Sequence, residues 1–213
     1  ALLENGITRN TVEEVYTRIV IDLEQASALF GKYSKRRGDF RINGTATDIL
    51  LSRVYLYMEE WDRAIEAANR AIKTAEGLTD YTTVEAGNQF YMTTYELSEV
   101  EWLFDMSITN FPFVPSGDLL SKYTNGDKRE TLWFNANGSI SKRAQKSGWG
   151  PNRTIRISEA YLNRAEALVL SQNANIGEAL ADLNELRRHR IVGYQDISIS
   201  DATILLGEMW NVG

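Results

Sequence analysis

The chain has 213 residues, 43% hydrophobic and 24% charged, enough to bury a core in one domain. Its 29 acidic and 23 basic side chains leave a net charge of −6, which excludes the diffuse positive field of a nonspecific nucleic-acid binder. Having no cysteine, it can build no disulfide, thiolate metal site or cysteine nucleophile, and no apolar run is long enough to cross a bilayer as a helix. The first residues carry no basic start followed by an apolar core, and an opening at Ala1 is expected of a piece of a longer precursor.

The first predicted element begins at Thr11, where Thr11 and Glu14 have the spacing of a capping box. Val12, Val15, Tyr16, Ile19, Leu23, Ala26, Leu29 and Phe30 then mark the apolar face of a helix ending near Gly31. A basic run follows, Lys32, Lys35, Arg36, Arg37 and Arg41, read as a solvated loop. Helical periodicity resumes over Thr45–Met58 and again over Trp61–Ala75, and the very short turn at Glu59 and Glu60 requires the two helices to pack antiparallel. Residues 77–153 differ: they hold all three prolines and much of the aromatic content. Within them, Val100–Ile108 and Thr131–Ala136 are β-prone, with turn signals at Pro112, Pro115, Asn125-Gly126 and Asn137-Gly138. A second helix pair is then expected, one helix carrying Ile157, Ala160, Tyr161, Ala165 and Leu168, the other Ile176, Ala179, Leu180, Leu183 and Leu186.

The second helices of the two pairs align without a gap, Trp61 on Ile176, Ala64 on Ala179, Ile65 on Leu180, Ala68 on Leu183 and Ala71 on Leu186. This small/large rhythm reads as a tetratricopeptide-like repeat, with a plain antiparallel bundle as the alternative. The fold class expected is mainly α: helix pairs forming an α-α superhelix, carrying an irregular, partly β, aromatic-rich insertion.

Catalytic patterns are scarce. The single histidine, His189, lies at an Arg-rich helix end, so neither a His-based triad nor a multi-His metal site can be assembled. Glu99, Glu101, Asp105, Asp118 and Asp127 are the carboxylates of the irregular region available for acid/base work, and helix capping or strand-edge charge explains them equally. The segment around Gly38 and Gly44 lacks the Lys-Ser/Thr of a nucleotide loop, and the sequons at Asn43, Asn137 and Asn152 read as turns and caps. No cofactor, metal or catalytic residue is expected.

Seven blocks occur in order along the chain. They are R-N-T-V-E-E-V-Y-T-R-I-V-I-D-L-E-Q-A (Arg9–Ala26), F-R-I-N-G-T-A (Phe40–Ala46), S-R-V-Y-L-Y-M-E-E-W-D-R-A (Ser52–Ala64), P-S-G-D-L-L-S-K-Y (Pro115–Tyr123), G-D-K-R (Gly126–Arg129), R-I-S-E-A-Y-L-N-R-A-E-A (Arg156–Ala167) and L-N-E-L-R-R-H-R (Leu183–Arg190). Together they resemble the SusD/RagB family. The resemblance implies a single domain over residues 1–213, with the repeat scaffold in 11–76 and 154–192 and the insertion in 77–153. It further implies a surface-exposed, lipid-anchored outer-membrane protein that captures oligosaccharide without catalysis and sits on a TonB-dependent, SusC-like transporter. Membrane association would come only through a lipid anchor, and no lipidated cysteine lies in this chain. Family members are usually more than twice this length, and after the last pair they continue with a helix unlike D-A-T-I-L-L-G-E-M-W-N-V-G. A fragment or shortened member is therefore expected, with the apolar face near Leu183 and Leu186 left uncovered.

Arg53, Arg156, Glu159, Arg164, Glu166, Arg187 and Arg190 border apolar stripes and are read as ties between helices. Sugar contact calls for flat aromatic side chains, because a pyranose presents an apolar C–H face to a ring while its hydroxyls take hydrogen bonds. Trp149, in the turn S-G-W-G-P, leads that set, followed by Tyr81, Tyr91, Tyr95 and Tyr123, whereas Trp102 and Trp133 alternate with apolar neighbours as core residues do. Two rival readings stay open at this level: a repeat scaffold that binds protein or peptide, and a glycan-active enzyme using two carboxylates of the insertion.

Overall fold

The computed structural model describes residues 9–33, 42–84, 100–103, 115–134 and 154–211. Among them, α1 spans Val12–Lys32, α2 Gly44–Tyr57, α3 Trp61–Thr74, α4 Gly117–Ser121, α5 Lys128–Trp133, α6 Ile157–Leu170, α7 Ile176–Arg188 and α8 Ala202–Trp210. A 3₁₀ turn covers Tyr81–Thr83, and the strands β1 (Val100–Leu103) and β2 (Thr154–Arg156) pair antiparallel, with an irregularity between Val100 and Trp102. The chain is thus mainly helical, as expected.

The helices stack in chain order: α1 on α2, α2 on α3, α3 on α6, α6 on α7, and α8 against α6 and α7. The predicted capping box closes α1, Glu14 N–H donating to Thr11 Oγ1 at 3.1 Å and Thr11 N–H to the Glu14 carboxylate at 2.8 Å. Asn43 is the buried N-cap of α2, its side chain accepting from Ala46 N–H at 2.8 Å, so the first sequon is a cap. The α2–α3 turn is made by Glu59 at φ +60. Trp61 and Ile176 are both the first residues of their helices, and Ala64, Ala179, Ala68 and Leu183 are all fully buried. The gapless register of the two second helices thus aligns helix start with helix start and buried position with buried position.

Two expectations about which face is covered are corrected. On α1, Val12, Val15, Ile19 and Leu29 of the predicted stripe are exposed, and the buried residue is Val20, with Leu23 packed beside it. Apolar residues lie on more than one face of this helix, and specific ties to α2 select among them. Ser27 Oγ donates to Asp48 at 2.9 Å, Tyr55 Oη donates to Glu24 at 2.6 Å, and a Cβ at Gly44 would meet Phe30 Cβ at 3.1 Å. Burial and the Glu24 hydrogen bond push the Tyr55 phenol up to about 12. At the other end, Leu183 and Leu186 are not left uncovered. Asp201 caps α8 by accepting from Ile204 N–H at 2.9 Å, and Leu205 and Met209 pack into the same cluster as Ala179 and Leu183, with Ile197 and Ile199 alongside. Residues from Ile197 to Met209 cover Leu183, and Leu186 is buried as well.

Among the polar side chains bordering the stripes, Arg53, Glu159, Arg164 and Arg187 tie helices together. Arg53 and Glu159 form a two-pronged pair between α2 and α6, one prong at 2.6 Å. Arg164 of α6 donates to Asp182 of α7 at 2.8 and 2.5 Å and reaches Asn69 of α3 at 2.6 Å. Arg187 of α7 pairs with Glu208 of α8. Asn163 donates to Ser52 Oγ at 2.9 Å in the buried α2–α6 seam. Fork-shaped guanidinium contacts of this kind fix helix orientation as well as distance.

Candidate functional site

The stretch between the helix pairs meets the scaffold at α5. The predicted strand over Thr131–Ala136 is corrected here: Lys128–Trp133 is helical, and residues 135 and 136 lie outside the described set. β-propensity loses to a cap and to tertiary burial. Asp127 caps α5, accepting from Arg129 N–H at 3.0 Å, and Leu132 is buried against Tyr81. The Asp127 carboxylate also binds the Arg129 guanidinium at 2.7 Å with both side chains nearly fully buried, so this candidate acid is a structural ion pair. The turn before α5 is pinned to the chain leaving α7: Lys128 N–H donates to Arg190 O at 2.9 Å and Val192 N–H to Gly126 O at 3.0 Å. Gly126, at φ +89, comes so near that a Cβ would lie 3.3 Å from Val192 O.

Around this joint, rings and arginines interleave. Tyr81 meets Trp133 edge-on with centroids 6.1 Å apart, and Tyr123 meets Phe134 edge-on at 5.7 Å. The Arg129 guanidinium lies 5.1 Å from the Tyr123 ring centre and 5.7 Å from that of Trp133, and Arg156 lies 5.0 Å from Trp133 on its other contact. Arg156 Nη1 donates to Tyr81 Oη at 3.3 Å. Burial pushes the Tyr123 phenol above its ordinary value, and Arg129, Arg190 and Arg156 oppose that shift.

Beside the cluster is a cleft of about 220 Å³. Lys122, Arg129, Arg187 and Arg190 line it together with Asp127 and Glu208, and Ser121, Thr124 and Asn211 add neutral polar groups.

Of the predicted ring set, Tyr81 is 1% exposed and closed inside the Trp133 cluster, so it offers no ring face; its isolation from any helical period hid a burial created by the 3₁₀ turn and by its N–H bond to His189 O at 2.8 Å. Tyr123 is half-buried under Arg129. Trp149, Tyr91 and Tyr95 lie outside the described residues, as do Glu99, Asp105 and the basic run from Lys35 to Arg41. Asp118 sits exposed in the first turn of α4. His189 ends α7, its Nδ1 2.9 Å from Glu185 O. Among the described residues no cluster of three His, Cys, Asp or Glu groups could hold a metal, and no helix is long and apolar enough to cross a membrane. Sequence reasoning missed the arginines as partners of the rings; the Gly126–Arg129 block, with an N-cap Asp two residues before Arg129, carried the signal.

The architecture defines a class: a stack of antiparallel helix pairs whose intervening segment joins the second pair through an aromatic–arginine cluster. No protein-family model matches the chain, and no curated protein matches it. Solved structures do. A SusD-like carbohydrate binding protein from Bacteroides vulgatus superposes with TM-score 0.75 at 20% identity, over 99% of this chain and 50% of that one. A SusD-like protein from Bacteroides fragilis gives 0.75 at 18%, over 100% and 59%, and a SusD superfamily protein from Bacteroides vulgatus gives 0.66 at 25%, over 95% and 52%. The chain has the SusD-like fold. It spans 50% to 59% of the length of these structures.

Proposed function

We propose that this chain is a carbohydrate-capture module of SusD type, binding oligosaccharide at a bacterial outer-membrane surface without catalysis and handing it to a TonB-dependent, SusC-like transporter. The observation that carries the reading is the superposition of 99% of the chain on a structure described as a SusD-like carbohydrate binding protein. The use of residues 11–76 and 154–192 as scaffold and of 77–153 as ligand-bearing insertion is part of the same proposal, supported by the stacking of α2 and α3 on α6 and α7. Within the insertion, sugar stacking is assigned to Trp149 first and to Tyr91, Tyr95 and Tyr123 after it. Tyr123 already lies beside cationic side chains that could direct sugar hydroxyls.

The test is a glycan array on the purified chain, with product analysis of every carbohydrate bound, then calorimetry on Trp149→Ala. Binding without turnover, weakened by about 1 to 3 kcal/mol in the variant, is expected. Released sugar products would replace capture by catalysis, and peptide affinity with no response to sugars would favour a protein-binding scaffold.

A further inference from the structure

α1 carries a second apolar line that its packing on α2 does not use. Val12, Val15, Ile19, Ala26, Leu29 and Tyr33 keep the alternating three- and four-residue spacing of a coiled-coil seam, with Asp22 as its one polar member. Val20 and Leu23, which pack toward α2, lie to one side of this line, and the exposed Arg18, Gln25 and Lys32 border it on the other. Val12 is 72% exposed, Leu29 56% and Tyr33 73%, and Val15 and Ile19 are exposed as well. A helix at the end of a repeat stack ordinarily turns a polar surface outward, and α1 opens this stack with an apolar one. Apolar side chains set in a line along one face mark a contact surface, whereas scattered ones do not.

We propose that this seam binds a second copy of the chain, α1 against α1, antiparallel about a two-fold axis. Its five exposed apolar side chains present roughly 500 Å² per copy, so that two copies cover about 1,000 Å², the area a specific interface must reach. Charge selects the direction. Setting Val12 against Leu29 of the second copy, and Val15 against its Ala26, also brings Arg18 beside Asp22 of the second copy. Arg18 and Asp22 already pair within one chain at 2.9 Å, both exposed, so the two pairs join across the axis and no carboxylate in the seam is left without a cation. The same direction carries the acidic first turn, Glu13 and Glu14, toward Lys32 in the last turn of the other helix. A parallel pair would set Asp22 against Asp22 and acidic turn against acidic turn. The seam uses none of the residues assigned to sugar contact, so its failure would leave the capture reading standing.

Sedimentation equilibrium of the whole chain reads the association directly. The mass is expected to rise from 24.1 kDa toward twice that value over roughly 1–100 µM. Val12→Glu and Leu29→Glu each place a charge in the seam at an exposed position, and each should weaken the dimer about tenfold or more. Their helical circular dichroism at low concentration should match that of the parent. If Leu29→Glu loses its fold, Val12→Glu decides, since an acidic residue suits the first turn of a helix. Because the chain has no cysteine, the direction is read by mixing Val12→Cys and Leu29→Cys chains, which should cross-link faster together than either does alone. A mass of 24.1 kDa at every concentration overturns the proposal. A dimer that both glutamate variants leave intact overturns it too, because the contact then lies on another face. Growth beyond two copies does the same, since a two-fold seam closes on itself. Faster cross-linking within either cysteine variant alone overturns the antiparallel pairing.

Discussion

α3 and α7 occupy equivalent places in the two helix pairs, yet their buried faces differ. α3 buries Ala64, Ala67, Ala68 and Ala71, whereas α7 buries Ala179 together with Leu183 and Leu186. The difference follows from what each helix meets. α3 lies between α2 and α6, and small side chains let the backbones on both sides approach closely. α7 is the last helix of the stack proper, and its outer neighbour is α8, only Ala202–Trp210 in length, so larger side chains fill the space that a longer helix would otherwise occupy. An all-alanine face thus marks an interior repeat and a leucine-bearing face a terminal one.

The comparison breaks most visibly at Leu183. Leu183→Ala makes α7 resemble α3 at the position of Ala68, and the variant is expected to lose about 2 to 5 kcal/mol in urea unfolding, the cost of a buried leucine whose cavity is not refilled. A loss under 1 kcal/mol would mean that α8 follows the smaller side chain and that the leucines do not define the end of the stack. The reverse change is expected to cost less. Ala64→Leu and Ala179→Leu insert a larger side chain where two helices touch, and each should destabilise by about 1 to 3 kcal/mol through overpacking, measured by thermal or urea unfolding. Unequal costs would show that one of the two seams can open.

Much of this scaffold was legible in the chain because each pair carries strong 3.6-residue periodicity and a turn too short for any other packing. The register of Trp61 on Ile176 needed no tertiary knowledge. Less was legible where a helix has more than one apolar face: on α1 the choice of Val20 over Val12 and Val15 depends on partners in α2 that periodicity does not contain. At Thr131–Ala136 the β-branched and aromatic composition outweighed a stronger local signal, Asp127 before a helix with Glu130 in its first turn. α8 was likewise readable from Asp201 preceding an apolar run, but its role as a cover required knowing that Leu205 and Met209 reach Leu183. For the candidate site, ring content pointed to the right segment, while the burial of Tyr81 and the stacking of Arg129 and Arg156 arise from contacts between distant parts of the chain.

The smallest expected effects concern how the two helices start. Asn175 caps α7, its side chain accepting from Glu178 N–H at 3.1 Å, whereas α3 begins after Glu60 with no side-chain cap. The backbones at these two positions are alike, φ −117 and ψ 80 at Asn175 against φ −88 and ψ 65 at Glu60. The same capping bond is therefore within reach of an asparagine at position 60. Asn175→Ala should cost about 1 kcal/mol, and Glu60→Asn should gain about 0.5 kcal/mol, since Glu60 is exposed and the new amide would satisfy a free N–H of the first turn. Urea unfolding of the two single variants and of the double variant measures both. If the helices are equivalent units, the two changes add within experimental error, because the caps lie on different pairs and share no partner. A Glu60→Asn variant that loses stability would show that the Glu59 turn, held at φ +60, sets a helix start that a side-chain cap cannot join.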